Sequence, residues 1–190
     1  MHNAEIYQKL LDAGITNVWL PDMEFLPPDQ MEKRKALWKD DLLVDDLTIF
    51  AVDGYGSFYA WRPDDSVIFV DIGPADTHEA ASCLPDAVFR QIIEFANGDY
   101  AELCTDAEKA DMDPDDAEDY TSESEAIGLL KQYRAAFGAY FTQEQNDYLD
   151  TLIQNGFLPD CAAFIEEEEM MRIVRDRLHV DTQKSGNLAR

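Results

Sequence analysis

The stretch Leu47–Gly73, LTIFAVDGYGSFYAWRPDDSVIFVDIG, holds three apolar runs separated by DGYG and RPDD. In LTIFAV, Leu47, Ile49 and Ala51 fall on one side, and Phe50 and Val52 on the other. SFYAW alternates as well, and SVIFVDI is rich in β-branched residues. A pleated strand favours this pattern. Asp53-Gly54 is a pair favoured in tight hairpins whose central positions take positive φ, and Gly56 suits a bulge or a close backbone approach. RPDD turns the second strand into the third. Connections this short join antiparallel neighbours, so a three-stranded antiparallel meander is expected. Two close glycines also invite a phosphate-loop reading. Such a loop leads into a helix whose N–H groups face the phosphate. A strand follows here, so DGYG reads as a hairpin turn.

Helices surround the meander. AEIYQKLLDAG places Ile6, Leu10 and Leu11 on one stripe before Gly14. MEKRKALWKDDLL suggests a second helix. Its bases Lys33, Arg34, Lys35 and Lys39 read as internal charge partners. In SCLPDAVFRQIIEFANG, Pro85 suits the first helical position and Gly98 the stop, with a wide apolar stripe between them. Ser122–Glu125 and Thr142–Gln145 have capping-box form, each ahead of an apolar helix. A last helix is expected to open at Pro159, with Phe164, Met171, Val174 and Leu178 on one stripe. The fold class is therefore α+β. Residues 1–98 form a core, 99–125 an exposed acidic connection, 126–180 a helical extension packed on the core, and 181–190 a polar tail that frays.

Charge narrows the function. Forty acids against fifteen bases leave −25. Nucleic acid is bound by Lys and Arg displacing counterions, and anionic membranes likewise attract bases. Neither is an expected partner. The charge favours basic protein partners or cations, and it aids solubility. Residues 99–125 carry twelve acids and one base, Lys109. With 46% hydrophobic residues the chain has material for a core. Cys83, Cys104 and Cys161 form no Cys-x-x-Cys, and Cys104 and Cys161 read as core. No apolar run reaches about 18 residues, and MHNAEIYQKL lacks a signal core, so a cytoplasmic protein is expected.

Catalytic patterns are weak. DMDPDDAEDYTS puts Asp111, Asp113 and Asp115 at calcium-loop positions, but Asp116 stands where the loop needs glycine and Ser122 where it needs glutamate. Gly-x-Ser-x-Gly is absent. Asp71, Asp76 and His78 are the groups on which an enzyme or a metal protein would rest, and Glu79 follows them. A polar loop leading to the next helix explains them more simply. Tyr59 and Trp61 share one strand face, and Phe58 and Ala60 the other. Two covered faces explain that; the other reading is an exposed aromatic patch rimmed by Asp.

WLPDMEFL (Trp19–Leu26), LTIFAVDGYGSFYAW (Leu47–Trp61), VIFVDIG (Val67–Gly73) and LPDAVFRQIIEFANG (Leu84–Gly98) together resemble the SUKH superfamily. It groups fungal cell-wall-assembly regulators of the Smi/Knr type with bacterial toxin-immunity proteins. The likeness covers roughly residues 15–98, about half the chain. Where many members carry Asn-Gly-Gly, this chain has FLPPDQME. The resemblance implies an α+β fold with no catalytic site, no cofactor and no metal. It also implies direct binding of a cognate protein toxin, such as a nuclease with a basic surface. A regulatory scaffold is the alternative. Expected contacts are the acidic turns at Asp40, Asp41, Asp45, Asp46, Asp64 and Asp65, and the aromatics Tyr55, Tyr59 and Trp61.

Overall fold

A computed structural model describes residues 2–15, 23–98, 101–178 and 185–189. Trp19–Asp22, at the head of the first family-like stretch, lie outside these. The chain begins α1 (Asn3–Asp12), β1 (Glu24–Phe25), α2 (Pro28–Trp38), β2 (Thr48–Val52), β3 (Phe58–Trp61) and β4 (Val67–Asp71). It continues β5 (Asp76–Ala81), α3 (Leu84–Asn97), β6 (Glu102–Cys104), α4 (Asp106–Asp111), α5 (Pro114–Ala117) and β7 (Tyr120–Ser122). It ends α6 (Glu123–Phe137), α7 (Gln143–Asn155), α8 (Glu167–Arg177) and β8 (Ser185–Asn187). An antiparallel sheet runs in the order β1-β2-β3-β4-β5-β8, so the fold is α+β with a helical C-terminal region.

The expected meander is β2-β3-β4, with two refinements. Phe50 is an extra residue between the pairs Ile49–Ala60 and Ala51–Tyr59. This bulge breaks the simple alternation. Phe50 and Ala51 both join one core cluster, while Ile49 and Val52 join the other. The hairpin also turns differently. Positive φ falls on Gly56 (93°), not on Gly54. The Gly56 N–H donates to Asp53 O at 3.4 Å, and Asp53 N–H to Ser57 O at 3.0 Å. The next hairpin has the same plan. Asp65 N–H donates to Arg62 O at 3.0 Å, Arg62 N–H to Ser66 O at 2.9 Å, and Asp65 takes φ 67°.

Both faces of the sheet are covered. On one, Phe50, Tyr59, Trp61 and Val67 meet Tyr7 and Leu10 of α1, the apolar stripe of α3, and Leu130, Tyr133, Phe137, Leu149, Ile173 and Val174 of the C-terminal helices. On the other, Ile49, Phe58, Ala60, Ile68 and Val70 meet Leu26, Leu42, Val44 and Leu47. There Trp38 at the end of α2 stacks on Phe58, with ring centroids 4.5 Å apart.

Four segments differ from the sequence reading. Asp76–Ala81 is not a loop but the strand β5, paired with β4 and β8. Residues 102–122 are not bare connection; β6 and β7 pair in parallel around the short helices α4 and α5. The last helix begins at Glu167, not Pro159, and buries Met170 and Ile173 while Met171 is exposed. The chain before it is held irregular: Phe164 N–H donates to Ala96 O at 2.8 Å, and Asn97 Nδ2 to Ile165 O at 3.1 Å. Cys161 in this segment is exposed, whereas Cys104 is buried. Part of the tail read as fraying is β8. Among the described residues no helix is long and apolar enough to cross a membrane.

Candidate functional site

The expected contact residues do not form one surface. Tyr59 and Trp61 are 5% and 7% exposed, so they are core side chains and not an open aromatic patch. The reason is the second helical layer over that face. Tyr55 is 89% exposed but caps the β2–β3 end of the meander, opposite the β3–β4 turn that holds Asp64 and Asp65. Both of those acids are engaged, Asp64 within the turn and Asp65 with the N-terminal segment. Asp64 Oδ1 accepts from Ser66 Oγ at 2.7 Å and from Ser66 N–H at 3.1 Å, which holds its carboxyl below the usual range. Asp65 accepts from His2 Nδ1 at 2.7 Å and from Asn3 N–H at 3.1 Å. Asp40, Asp41, Asp45 and Asp46 are exposed along the segment between α2 and β2.

Of the trio considered for chemistry, Asp71 and Asp76 are register partners at the β4–β5 turn, and His78 lies two residues further along β5, opposite Phe69. Asp71 Oδ1 accepts from Gly73 N–H at 3.1 Å, and Asp76 Oδ1 from Asn187 Nδ2 at 2.9 Å. Both carboxylates shape local backbone. His78 is exposed on β5. Among the described residues, no three His, Cys, Asp or Glu side chains are grouped to hold a metal.

The densest charge is built into structure. Thr105 and Glu108 form a capping box on α4. The Asp106 carboxylate accepts from Ser124 Oγ at 2.6 Å and from Ser124 N–H at 3.1 Å, which lowers its pKa. Lys109 Nζ donates to Tyr120 O at 2.7 Å and to Glu125 Oε2 at 2.6 Å. Asp113 caps α5. Around these anchors Asp111, Asp115, Asp116, Glu118 and Asp119 stand exposed. The acidic run is thus a ledge of carboxylates on hydrogen-bonded helices and strands.

A second feature lies between β5 and α3. In β5, Ala80 is an extra residue between the pairs Ile68–Glu79 and Val67–Ala81. Arg90 Nη1 reaches across this bulge to Glu79 O at 3.2 Å and Ala80 O at 3.1 Å, and Arg90 Nε donates to Glu94 Oε1 at 2.7 Å. Gln91 Nε2 donates to Tyr59 Oη at 3.0 Å and to Glu94 Oε2 at 3.1 Å. Gln91 and Glu94 are only 3% and 7% exposed. Together with Phe69 and His78 these groups line a cavity of about 310 Å³. The sequence reading passed over Gln91 and Glu94. Their signal was visible, since two polar residues three apart interrupt the apolar stripe of FRQIIEF. No model of a known family matches the chain, and no curated protein or solved structure matches it.

Proposed function

We propose that this chain is a non-enzymatic binding protein that covers a basic surface of a protein partner, in the manner of an immunity protein neutralising its toxin. The observation that carries this reading is the ordered acidic ledge at residues 102–125. A flexible acidic run would lose conformational entropy on binding. Carboxylates already held by capping and by Lys109 lose less, so more of the charge attraction remains as affinity. The chain's −25 adds long-range steering, which speeds encounter with a basic partner. The ledge replaces the turns at Asp64 and Asp65 as the principal contact, because Asp64 is engaged within its own hairpin and Asp65 by His2 and Asn3. The α+β fold class is the one the SUKH resemblance implies.

The test is a tagged pull-down from the native host at low and high salt, read by mass spectrometry. The expected result is one near-stoichiometric partner with a basic domain, lost at high salt and lost when Asp115, Asp116 and Asp119 are reversed to Lys. Several weak host partners would replace this reading with a regulatory scaffold. No partner at either salt would leave the acidity as a solubility feature.

A further inference from the structure

We propose that the slot between β5 and the pair Leu42 and Leu43, filled in cis by residues 185–189, is a peptide-docking groove. In trans it takes an extended basic segment of a protein partner that carries the pattern Gly-Asn-Leu. The inference stands on the slot alone and does not depend on what the acidic ledge binds.

The segment lies between two stretches of chain. On one side Asp76, Thr77 and His78 of β5 pair antiparallel with Asn187, Gly186 and Ser185, and Leu188 N–H donates to Ala75 O at 2.8 Å. On the other, Leu43 N–H donates to Leu188 O at 2.8 Å, and Leu42 bridges Ala189 antiparallel. Backbone groups at strand spacing on both sides select an extended chain. Three consecutive side-chain positions are then read. At 186 a Cβ would come 2.7 Å from Thr77 Oγ1, and Thr77 is buried and β-branched, so it cannot turn aside and only glycine fits. Asn187 Nδ2 donates to Pro74 O at 3.0 Å and to Asp76 Oδ1 at 2.9 Å, and its Oδ1 accepts from Ala189 N–H at 2.8 Å. A carbonyl and a carboxylate can only accept, so this position matches an amide and refuses a carboxylate. Leu188 packs against the cluster that holds Leu26, Leu42 and Ala75. Main-chain bonds supply affinity in such a groove, and side-chain pockets supply specificity.

The resident segment is held loosely. β8 is three residues long, and two of them, Gly186 and Asn187, are poor strand formers. Gly186, Asn187 and Ala189 are exposed and Leu188 is half-buried, so the segment removes little apolar surface from water. An element with so little burial opens locally far more often than the whole domain unfolds. Opening bares the β5 edge and Leu43 N–H, which another extended segment can cover. Charge says whose. Residues 182–190 carry Lys184 and Arg190 and no acid, in a chain of net −25. The resident is a basic segment on an acidic protein, and a partner's segment that replaces it is drawn by the same charge. A second copy is the poorer occupant, since two chains of −25 repel.

The experiment titrates the isotope-labelled full chain with the peptide TQKSGNLAR by NMR, following the backbone amides of Leu43, Thr77 and His78. Salt at about 0.15 M screens general attraction to the acidic surface. Two variants of the chain release its own segment: Gly186→Val through the clash with Thr77, and Asn187→Asp by setting a carboxylate against that of Asp76. Thermal melts check that each stays folded, and the wild-type titration decides alone should neither do so. The expected result is saturable shifts confined to Leu43 and β5 in all three proteins. Binding to the variants is expected to be at least about tenfold tighter than to the wild type, because the resident segment no longer competes. The peptide carrying Gly186→Val has the same charge and is expected to bind at least about tenfold more weakly. No saturable shift with a folded variant, equal binding by the Gly186→Val peptide, or no response of the wild type at about a hundred times the Kd of the variants would each overturn the proposal. A wild-type dimer in sedimentation that shows the same shifts as concentration rises would overturn the partner as occupant and give the slot to a second copy.

Discussion

Asn3 is fully buried, and it ties three parts of the chain together. Its Oδ1 accepts from Leu84 N–H at 2.9 Å, at the start of α3, and its Nδ2 donates to Asp65 O at 2.7 Å, in the β3–β4 turn. Removing the amide leaves a buried N–H and a carbonyl unpaired, so Asn3→Ala is expected to cost about 2–3 kcal/mol in urea unfolding. Asp64→Ala, which loses only an exposed turn contact, is expected to cost under about 1 kcal/mol. Asp65 adds a pH-dependent part. The bond from His2 is the main cause that holds its carboxyl below the usual range, with the Asn3 N–H contributing after it. A carboxyl with a lowered folded-state pKa contributes stability above its unfolded pKa, near 4, and loses it as pH falls through the folded value. His2→Ala is expected to move the Asp65 titration midpoint upward in a carbon-detected NMR titration. An unchanged midpoint would assign the shift to Asn3 instead.

Capping separates two kinds of helix. α6 begins at the Ser122–Glu125 box and buries Ala126, Leu130, Tyr133 and Phe137 in the main core. α4 begins at the Thr105–Glu108 box and buries nothing. Ser122→Ala is therefore expected to lower global stability by about 1 kcal/mol, measured by denaturation. Thr105→Ala is expected to leave the global transition in place and to raise hydrogen exchange locally around α4, since an element without core contacts opens by itself. The same distinction explains what could be read from sequence. The strands β2 to β4, the Pro85 and Gly98 limits of α3, and the boxes at Ser122 and Thr142 are set by neighbours in the chain, so local pattern shows them. β5 reads DTHEAA and becomes a strand because β4 and β8 flank it, and β6 and β7 exist only through pairing across 18 residues. The start of α8 is set by Ala96 and Asn97, far away in sequence. Of the site, Gln91 and Glu94 were legible as polar breaks in an apolar stripe, but the bulge at Ala80, whose carbonyls Arg90 links to Glu94, was not.

At the scale of the whole molecule, charge acts on stability and on binding with opposite sign. The chain carries forty acids against fifteen bases, so negative charge is in large excess. Like charges crowd more closely in the folded chain than in the unfolded one, so self-repulsion lowers stability. Salt screens it, and the screening length falls from about 20 Å to about 4 Å between roughly 20 mM and 0.5 M salt. Raising salt over that range is expected to stabilise the free protein by about 1 kcal/mol, or about 2–4 °C in its melting midpoint. Association with a basic partner is expected to weaken over the same range, because screening then removes attraction instead of repulsion. The two readings belong in one experiment: thermal melts of the free chain and affinity for the partner, each against salt. A melting midpoint that falls with salt would mean that favourable ion pairs outweigh the repulsion. A midpoint that rises while affinity falls is the signature of an acidic surface that costs the free protein stability and is relieved by a cationic partner.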